Sequence, residues 1–408
     1  MAMFTVSKMD MKTKARCGVF TIGKRVIETP SYVIVGTYGN VRTLDASDFL
    51  PTKTQIIISN TYHLWKTLGE DLDSFEGLHK RLGFDGLIMT DSGGYQVFSL
   101  GARRENMTGK FGNNLLISSY EQESESRKVL REMKESFKNF FIKDKNIVRI
   151  SDRGVFFYDE GERFLDSETS IRIQEKLGAD IILPLDVCTS SRHSWKYNKK
   201  AMELTRAWAL RSISIKKNPE QMLYGIIQGG SFPDLRKASA RFITDHNFDG
   251  YAIGGSFGGT SKGEMTDVLD WIIPYLKYEK PTHLLGVGKI NDLFEGVERG
   301  VDTFDCVIPT REARHGSLWT ANGRFNITKA KYADDARPIE VGCLCPACSA
   351  GIKKKDLYGL FKAKDQKAGY YATVHNVFFF NSLMEQIRNS IKENRFLEFK
   401  NEFLSRLK

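Results

Sequence analysis

The chain has 408 residues, 41% hydrophobic and 27% charged, enough for one large domain and a smaller appendage around a sizeable core. No apolar run reaches membrane-spanning length, and the first residues, MAMFTVSKMDMKTKAR, lack the apolar core of a signal peptide, so the expectation is a cytoplasmic protein with no membrane partner. Sixty Lys and Arg against fifty Asp and Glu leave a formal charge of +10, which suits a polyanionic partner without requiring one.

Short β-rich runs recur along the chain, each ending in small or polar residues. In order they are TPSYVIVG (29–36), TQIIISNT (54–61), GLIMTDSGG (86–94), DIILPLD (180–186), MLYGIIQGG (222–230), GYAIGGS (250–256), THLLGVG (282–288) and TFDCVIPT (303–310). Most are separated by segments of helical spacing, such as 233–246 and 262–276. Runs of continuous apolar character suit parallel strands buried on both faces. Eight of them alternating with helices predict an α/β fold of the (β/α)8 type, a TIM barrel, with an open doubly wound sheet as the rival. The predicted barrel spans 1–320, and 321–408 forms a smaller C-terminal subdomain with helices packed on the barrel. The span 101–147 breaks the rhythm. It is highly charged with helical spacing over 121–146 and is read as an inserted, exposed helical segment.

A barrel places its chemistry where strands end. Those ends carry Asn60, Asp91, Asp186, Gln228, Gly255 and Asp305, a polar set with three carboxylates. Polar residues follow strands as turn formers anyway, but six with this chemistry point to a site. In DSGGYQVFSL (91–100), Asp91 precedes two glycines that let a flat ligand approach the backbone, and Tyr95 can stack on it. In TFDCVIPTREARHG (303–316), Asp305 sits in an apolar strand, where a carboxylate needs either a partner or a task. Two carboxylates facing one sugar carbon are the equipment of retaining glycosyl transfer.

Three of the six cysteines, Cys343, Cys345 and Cys348, fall on one knuckle, C-x-C-xx-C. The scattered remainder fits a reducing compartment better than a disulfide framework. His375 supplies a fourth ligand, and a closed Cys3His set is a structural Zn2+ site, with no open position for catalysis.

In these motifs the chain resembles the queuine/preQ1-type tRNA-guanine transglycosylases of the bacterial or eukaryotic catalytic kind. VGTYGNV, MTDSGGYQVFSL, YGIIQGG, YAIGG, LLGVGK, GVDTFDCVIPTR and the C-x-C-xx-C…H set occur in that family's order, over nearly the whole chain apart from 101–147. The resemblance implies a (β/α)8 barrel with a zinc subdomain that exchanges the guanine at the wobble position (G34) of tRNAs with a G-U-N anticodon for free queuine or preQ1. It implies Asp305 as the nucleophile on ribose C1′ and Asp91 as the general acid and base. Ser92, Gly93, Gly94, Tyr95, Asp186, Gln228, Gly254, Gly255 and Leu285 would form the base pocket. Gly286, Lys289, Asp292, Thr310, Arg311 and Arg314 would meet the tRNA. A homodimer braced by the zinc module is also implied, with Lys353, Lys354, Lys355, Lys362, Lys364 and Lys367 following the cysteines as candidate RNA contacts.

The run GGSFGGTSKGEM departs from the bacterial pattern, placing Phe257, Gly258 and Thr260 near the base pocket. A glycine at 258 opens space and favours the bulkier queuine, while Phe257 has the size to refill it. Three alternatives stand beside this reading. A non-catalytic partner subunit would have lost one acid. An archaeal-type enzyme would carry further RNA-binding domains beyond the roughly thirty residues that follow His375. A metal-dependent hydrolase would need His ligands at the strand ends.

Overall fold

The structure, a computed structural model, describes residues 2–103, 116–117, 148–189, 193–255 and 264–407. Eight parallel strands close into a barrel: β1 (Ser31–Val35), β2 (Ile56–Ser59), β3 (Leu87–Thr90), β4 (Ile181–Ile182), β5 (Met222–Ile227), β6 (Gly250–Ile253), β7 (Thr282–Leu284) and β8 (Thr303–Cys306). Each falls within one of the eight runs picked out by sequence. Chain order is kept around the barrel, and β8 pairs with β1 in the register Phe304↔Tyr32 and Asp305↔Val33.

The continuous apolar runs now have a geometric reason. Alternate residues face opposite sides of a strand. Val33, Ile56, Ile58, Leu87, Met89, Ile181, Leu183, Met222, Tyr224, Ile226 and Ala252 fill one cluster inside the barrel. Their neighbours Tyr32, Ile34, Ile57, Ile88, Ile182, Leu223, Tyr251, Ile253, Leu284 and Phe304 pack outward against the helices. Both faces are dry, so both sets must be apolar.

An antiparallel sheet of Ala2–Met9, Arg16–Ile22 and Arg25–Thr29, not foreseen in the sequence, adds Phe20, Ile22 and Ile27 to the interior cluster. It sits at the N-terminal end of the barrel, since Glu28 N–H donates to Gln55, the residue before β2 (2.9 Å). Its anchor is Arg16, whose guanidinium grips Asp302, the residue before β8. Nε donates to Oδ1 (3.0 Å) and the terminal nitrogen to Oδ2 (2.6 Å). Asp302 is wholly buried, and burial pushes its carboxyl up despite the guanidinium beside it. With that end covered, the opposite mouth, where the strands' C-terminal ends lie, is left for the site.

Within the insertion, Leu116–Ile117 pairs with Arg149–Ile150, and the hairpin Gly154–Tyr158 and Glu162–Asp166 completes a four-stranded sheet. The charged stretch 121–146 lies outside the described residues. After the barrel come a hairpin, Ser317–Thr320 with Gly323–Asn326, and a 27-residue helix, Gln366–Lys392, buried over most of its middle. Among the described residues no helix is long and apolar enough to cross a membrane.

Replacing Arg16 with Met would leave a buried carboxylate without its cation. The expected cost is about 3–5 kcal/mol in denaturant unfolding. A cost below about 1 kcal/mol would mean the pair does not anchor the sheet.

Candidate active site and metal centre

Asp91 follows β3. Its carboxylate accepts three neutral donors: Asn60 Nδ2 at 2.6 Å on Oδ2, and the backbone N–H groups of Thr61 (3.0 Å) and Gly93 (3.1 Å) on Oδ1. Asn60 can aim its amide because it caps the helix Thr61–Leu68, its Oδ1 accepting from His63 N–H at 2.9 Å. Burial raises the Asp91 carboxyl to about 7, the charge of Asp305 adding to the rise while the three donors oppose it. The two acids therefore feel one another across the mouth.

Asp305 sits on β8 with Oδ1 accepting from Gly286 N–H (2.9 Å) and from the ring of His283 (3.2 Å). Gly286 has φ +71°, a left-handed conformation that costs glycine nothing and presents the N–H to the carboxylate.

Asp186 is buried beyond β4 and joins this mouth through two contacts. Ser92 Oγ donates to its Oδ1 (3.2 Å) and Gln228 Nε2 to its Oδ2 (2.7 Å). Burial pushes it up to about 6, so it is largely ionised at neutral pH. Reversing the Gln228 amide would set oxygen against carboxylate, so the nitrogen faces Asp186. Gln228 Oε1 is then buried without a partner among the described residues, an acceptor open to a ligand. Gly254 lies so close that a Cβ there would come within 2.5 Å of Gln228 Nε2. Any side chain at 254 would displace the amide.

Ser92, Gly93 and Gly94 are buried beneath this pocket, Leu285 is half-buried against the barrel interior, and Tyr95 stands 53% exposed at the rim. Arg311, Lys289 and Gly286 are exposed, and Arg314 and Asp292 are half-buried. Thr310 is turned inward, its hydroxyl donating to Val307 O at 3.4 Å. Gly255 has φ +136° and is half-buried. Phe257, Gly258 and Thr260 lie outside the described residues.

The cysteine knuckle meets the long helix. The ligand atoms of Cys343, Cys345, Cys348 and His375 all lie within 4.8 Å of one another. His375 Nδ1 is 3.7, 3.5 and 3.7 Å from the three sulfurs in that order. In a tetrahedral site with Zn–S about 2.3 Å and Zn–N about 2.0–2.1 Å, sulfur and nitrogen stand about 3.6 Å apart. The cluster fits zinc on both geometry and ligand chemistry. His375 Nε2 lies 2.8 Å from Trp319 O; donating its proton there leaves Nδ1 bare as a ligand.

The family profile described as Queuine tRNA-ribosyltransferase matches residues 10–116 and 127–408. A queuine tRNA-ribosyltransferase of Caldanaerobacter subterraneus subsp. tengcongensis is 38% identical over 408 residues, 99% of this chain and 97% of that protein. A putative queuine tRNA-ribosyltransferase of Archaeoglobus fulgidus is 40% identical over 414 residues, covering 98% and 97%. One from Actinobacillus pleuropneumoniae is 38% identical over 414 residues, covering 98% and 96%. The chain belongs to the queuine tRNA-ribosyltransferase family.

Within this family member, the barrel mouth gathers Asp91, Ser92, Asp186, Gln228, Gly254, Gly286 and Asp305 from six different strand ends. Sequence reading left three contributors out. Thr61 N–H holds Asp91. His283 holds Asp305. Arg236, buried on the helix Pro233–Thr244, donates to the carbonyls of Gly230 (2.7 Å), Ile227 (3.0 Å) and Gly254 (2.7 Å) and so clamps the ends of β5 and β6 together. A cationic residue amid the apolar spacing of that helix was the available signal for Arg236. Beyond the mouth, Arg42, Arg311 and Arg314 lie near enough that burial first, then the like charges of Arg42 and Arg311, lower the Arg314 guanidinium. Arg42 was not singled out by sequence.

Cys345→Ser removes the most buried of the three sulfurs. Elemental analysis of the purified variant is expected to find its metal content reduced from about one zinc per chain to a small fraction, with a lowered thermal midpoint. Full zinc content in the variant would rule out the four-ligand site.

Proposed function

We propose that this chain exchanges guanine at the tRNA wobble position for a 7-deazaguanine by double displacement through Asp305. The observation that carries the reading is the pair of acids at the barrel mouth, with Asp305's charge helping to hold the Asp91 carboxyl near neutrality. Family membership supports the substrate class. The cationic group Arg42, Arg311 and Arg314, together with the exposed Lys289, suits the phosphates and bases around a displaced wobble nucleotide.

In the first half-reaction, an Asp305 oxygen attacks ribose C1′ as the C1′–N9 bond breaks, and the bonding pair leaves with guanine. Protonated Asp91 supplies the proton that neutralises it. In the second, Asp91, now ionised, takes the N9 proton of the incoming base. N9 attacks C1′, and the C1′–oxygen bond returns its pair to Asp305. The proton count closes, and configuration is retained by two inversions. Ionised Asp186 accepts from the N1–H and 2-amino donors of the base, and Gln228 with the Gly255 backbone meets its other edge. Tyr95, exposed beyond β3, would stack on it.

The metal cluster supplies no reactive group in this scheme. Bound zinc would tie the knuckle to the long helix, and the exposed lysines after it offer an RNA platform. The proposal keeps the barrel (1–320) and zinc subdomain (321–408) as its two parts and a homodimer as the working assembly. Queuine or preQ1 is the proposed incoming base, with queuine accepted because of the glycine at 258. Turnover of preQ1 but not queuine in exchange assays with each free base would overturn the acceptance of queuine.

Asp305→Ala is expected to abolish the denaturant-stable tRNA–protein adduct and to slow guanine release from labelled tRNA by about a thousandfold or more. An adduct that persists in this variant would place the nucleophile elsewhere. Asp91→Asn is expected to cost about 10²–10⁴-fold in exchange.

The raised Asp91 pKa gives a pH signature. Below pH about 7 the carboxyl keeps its proton and donates it; above, it is ionised and only accepts. Single-turnover guanine release should therefore fall as pH rises through about 7, and base incorporation into preformed adduct should fall as pH drops through the same value. Two half-reactions with the same pH dependence would contradict the assignment of both roles to Asp91.

A further inference from the structure

His283 lies on β7, in register with Ala252 of β6 and Thr303 of β8. Side chains two apart on a strand share a face, so Thr303 and Asp305 project together from β8. The imidazole lies against both. Its Nδ1 is 2.9 Å from Thr303 Oγ1 and its Nε2 is 3.2 Å from Asp305 Oδ1. The ring is wholly buried, as is Thr303. Gly286 N–H reaches the same Oδ1, and among the described residues no hydrogen bond falls on Oδ2.

We propose that His283 is a positioning residue for glycosyl transfer, an Nε2–H donor that fixes the plane of the Asp305 carboxylate and leaves Oδ2 as the attacking oxygen. This rests on Asp305 being the nucleophile. A carboxylate's terminal torsion is broad and nearly two-fold, so one donor cannot set its plane. Two donors arriving on one oxygen, one from the β7 side chain and one from the loop after it, can. The tautomer follows from Asp305: its ionised carboxylate only accepts, so Nε2 carries the proton, and the Thr303 hydroxyl, able to donate or accept, meets Nδ1 and holds the ring in place. The same two donors receive the charge when the glycosyl–oxygen bond breaks and the carboxylate reforms. The plainer reading, a buried histidine that only fills space, requires neither the donor nor the hydroxyl.

The test uses the full-length protein and a tRNA transcript with a G-U-N anticodon, following single-turnover adduct formation and tRNA affinity. His283→Leu keeps the bulk without the donor and is expected to form adduct about 10²-fold more slowly, with tRNA affinity nearly unchanged. His283→Gln returns a donor near the Nε2 position and is expected to recover to within about tenfold of wild type. A wild-type adduct rate in His283→Leu overturns the proposal. Equal losses in the Gln and Leu variants, both folded, overturn it too, since shape would then be the cause. Should the Leu variant fail to fold, Thr303→Val reads the same device at nearly constant volume: a slowed rate supports the proposal and an unchanged one overturns it. If wild type forms no adduct, or Asp305→Ala still forms one, the nucleophile assignment fails and this proposal falls with it. An adduct that depends on Asp305 but not on His283 overturns the positioning role alone.

Discussion

Three carboxylates share the mouth of this barrel, and among the described residues no lysine or arginine hydrogen-bonds to any of them. Asp91 is held by an amide and two backbone N–H groups, Asp186 by a hydroxyl and an amide, and Asp305 by a backbone N–H and an imidazole. Dipoles can hold a buried carboxylate, but only if they are fixed in place before the charge arrives. A cation would hold one more strongly and would also drag its pKa down, leaving no acid able to carry a proton near neutrality. The rest of the architecture serves this choice. The helix capped by Asn60, the left-handed turn at Gly286 and the Arg236 clamp each fix a donor or the backbone that carries one. The barrel holds their relative positions through strand register.

The barrel was legible because its physics writes a strong signal. Strands dry on both faces must be apolar at every position, and eight such runs stand out. The N-terminal sheet was missed because its first strand, AMFTVSKM, alternates apolar with polar residues and ends in a charged turn, which reads as a tail until the barrel floor it covers is known. The small sheet around 149–166 was missed because its strands are short and interleaved with charge. At the site, Asp91, Asp186 and Asp305 were legible as acids at strand ends, where a carboxylate has few structural excuses. His283 was not, because nothing local marks it: its meaning lies in the pairing of β7 with β8, which places it opposite Thr303 and beside Asp305. The Cys3His group was legible from spacing and chemistry, while the near-equal approach of all three sulfurs to one ring nitrogen came only with the fold.

The Cys3His group is tied to the barrel. His375 leans on the carbonyl of Trp319, and its neighbour Asn376 accepts from Trp319 N–H (3.0 Å) while donating to the carbonyls of Pro309 (3.1 Å) and Ser317 (3.0 Å). Those residues bracket the short helix Ile308–Arg314 that leaves β8 just past Asp305 and carries both Arg311 and Arg314. One turn of the long helix thus joins the cysteine knuckle to the basic rim.

The same helix reaches back to the start of the chain. Tyr370 donates to Asp48 (2.8 Å), Asn381 to the carbonyl of Thr52 (2.8 Å), and Arg388 to the carbonyl of Pro30, the residue before β1 (2.7 Å). Strands made first are therefore completed by contacts made last. During synthesis on the ribosome, the outer face of β1, where Tyr32 meets Phe380, must wait for its cover until more than three hundred further residues have emerged. For this chain the interval between the first strand and the last long helix is a window in which chaperones or premature termination act on an open barrel.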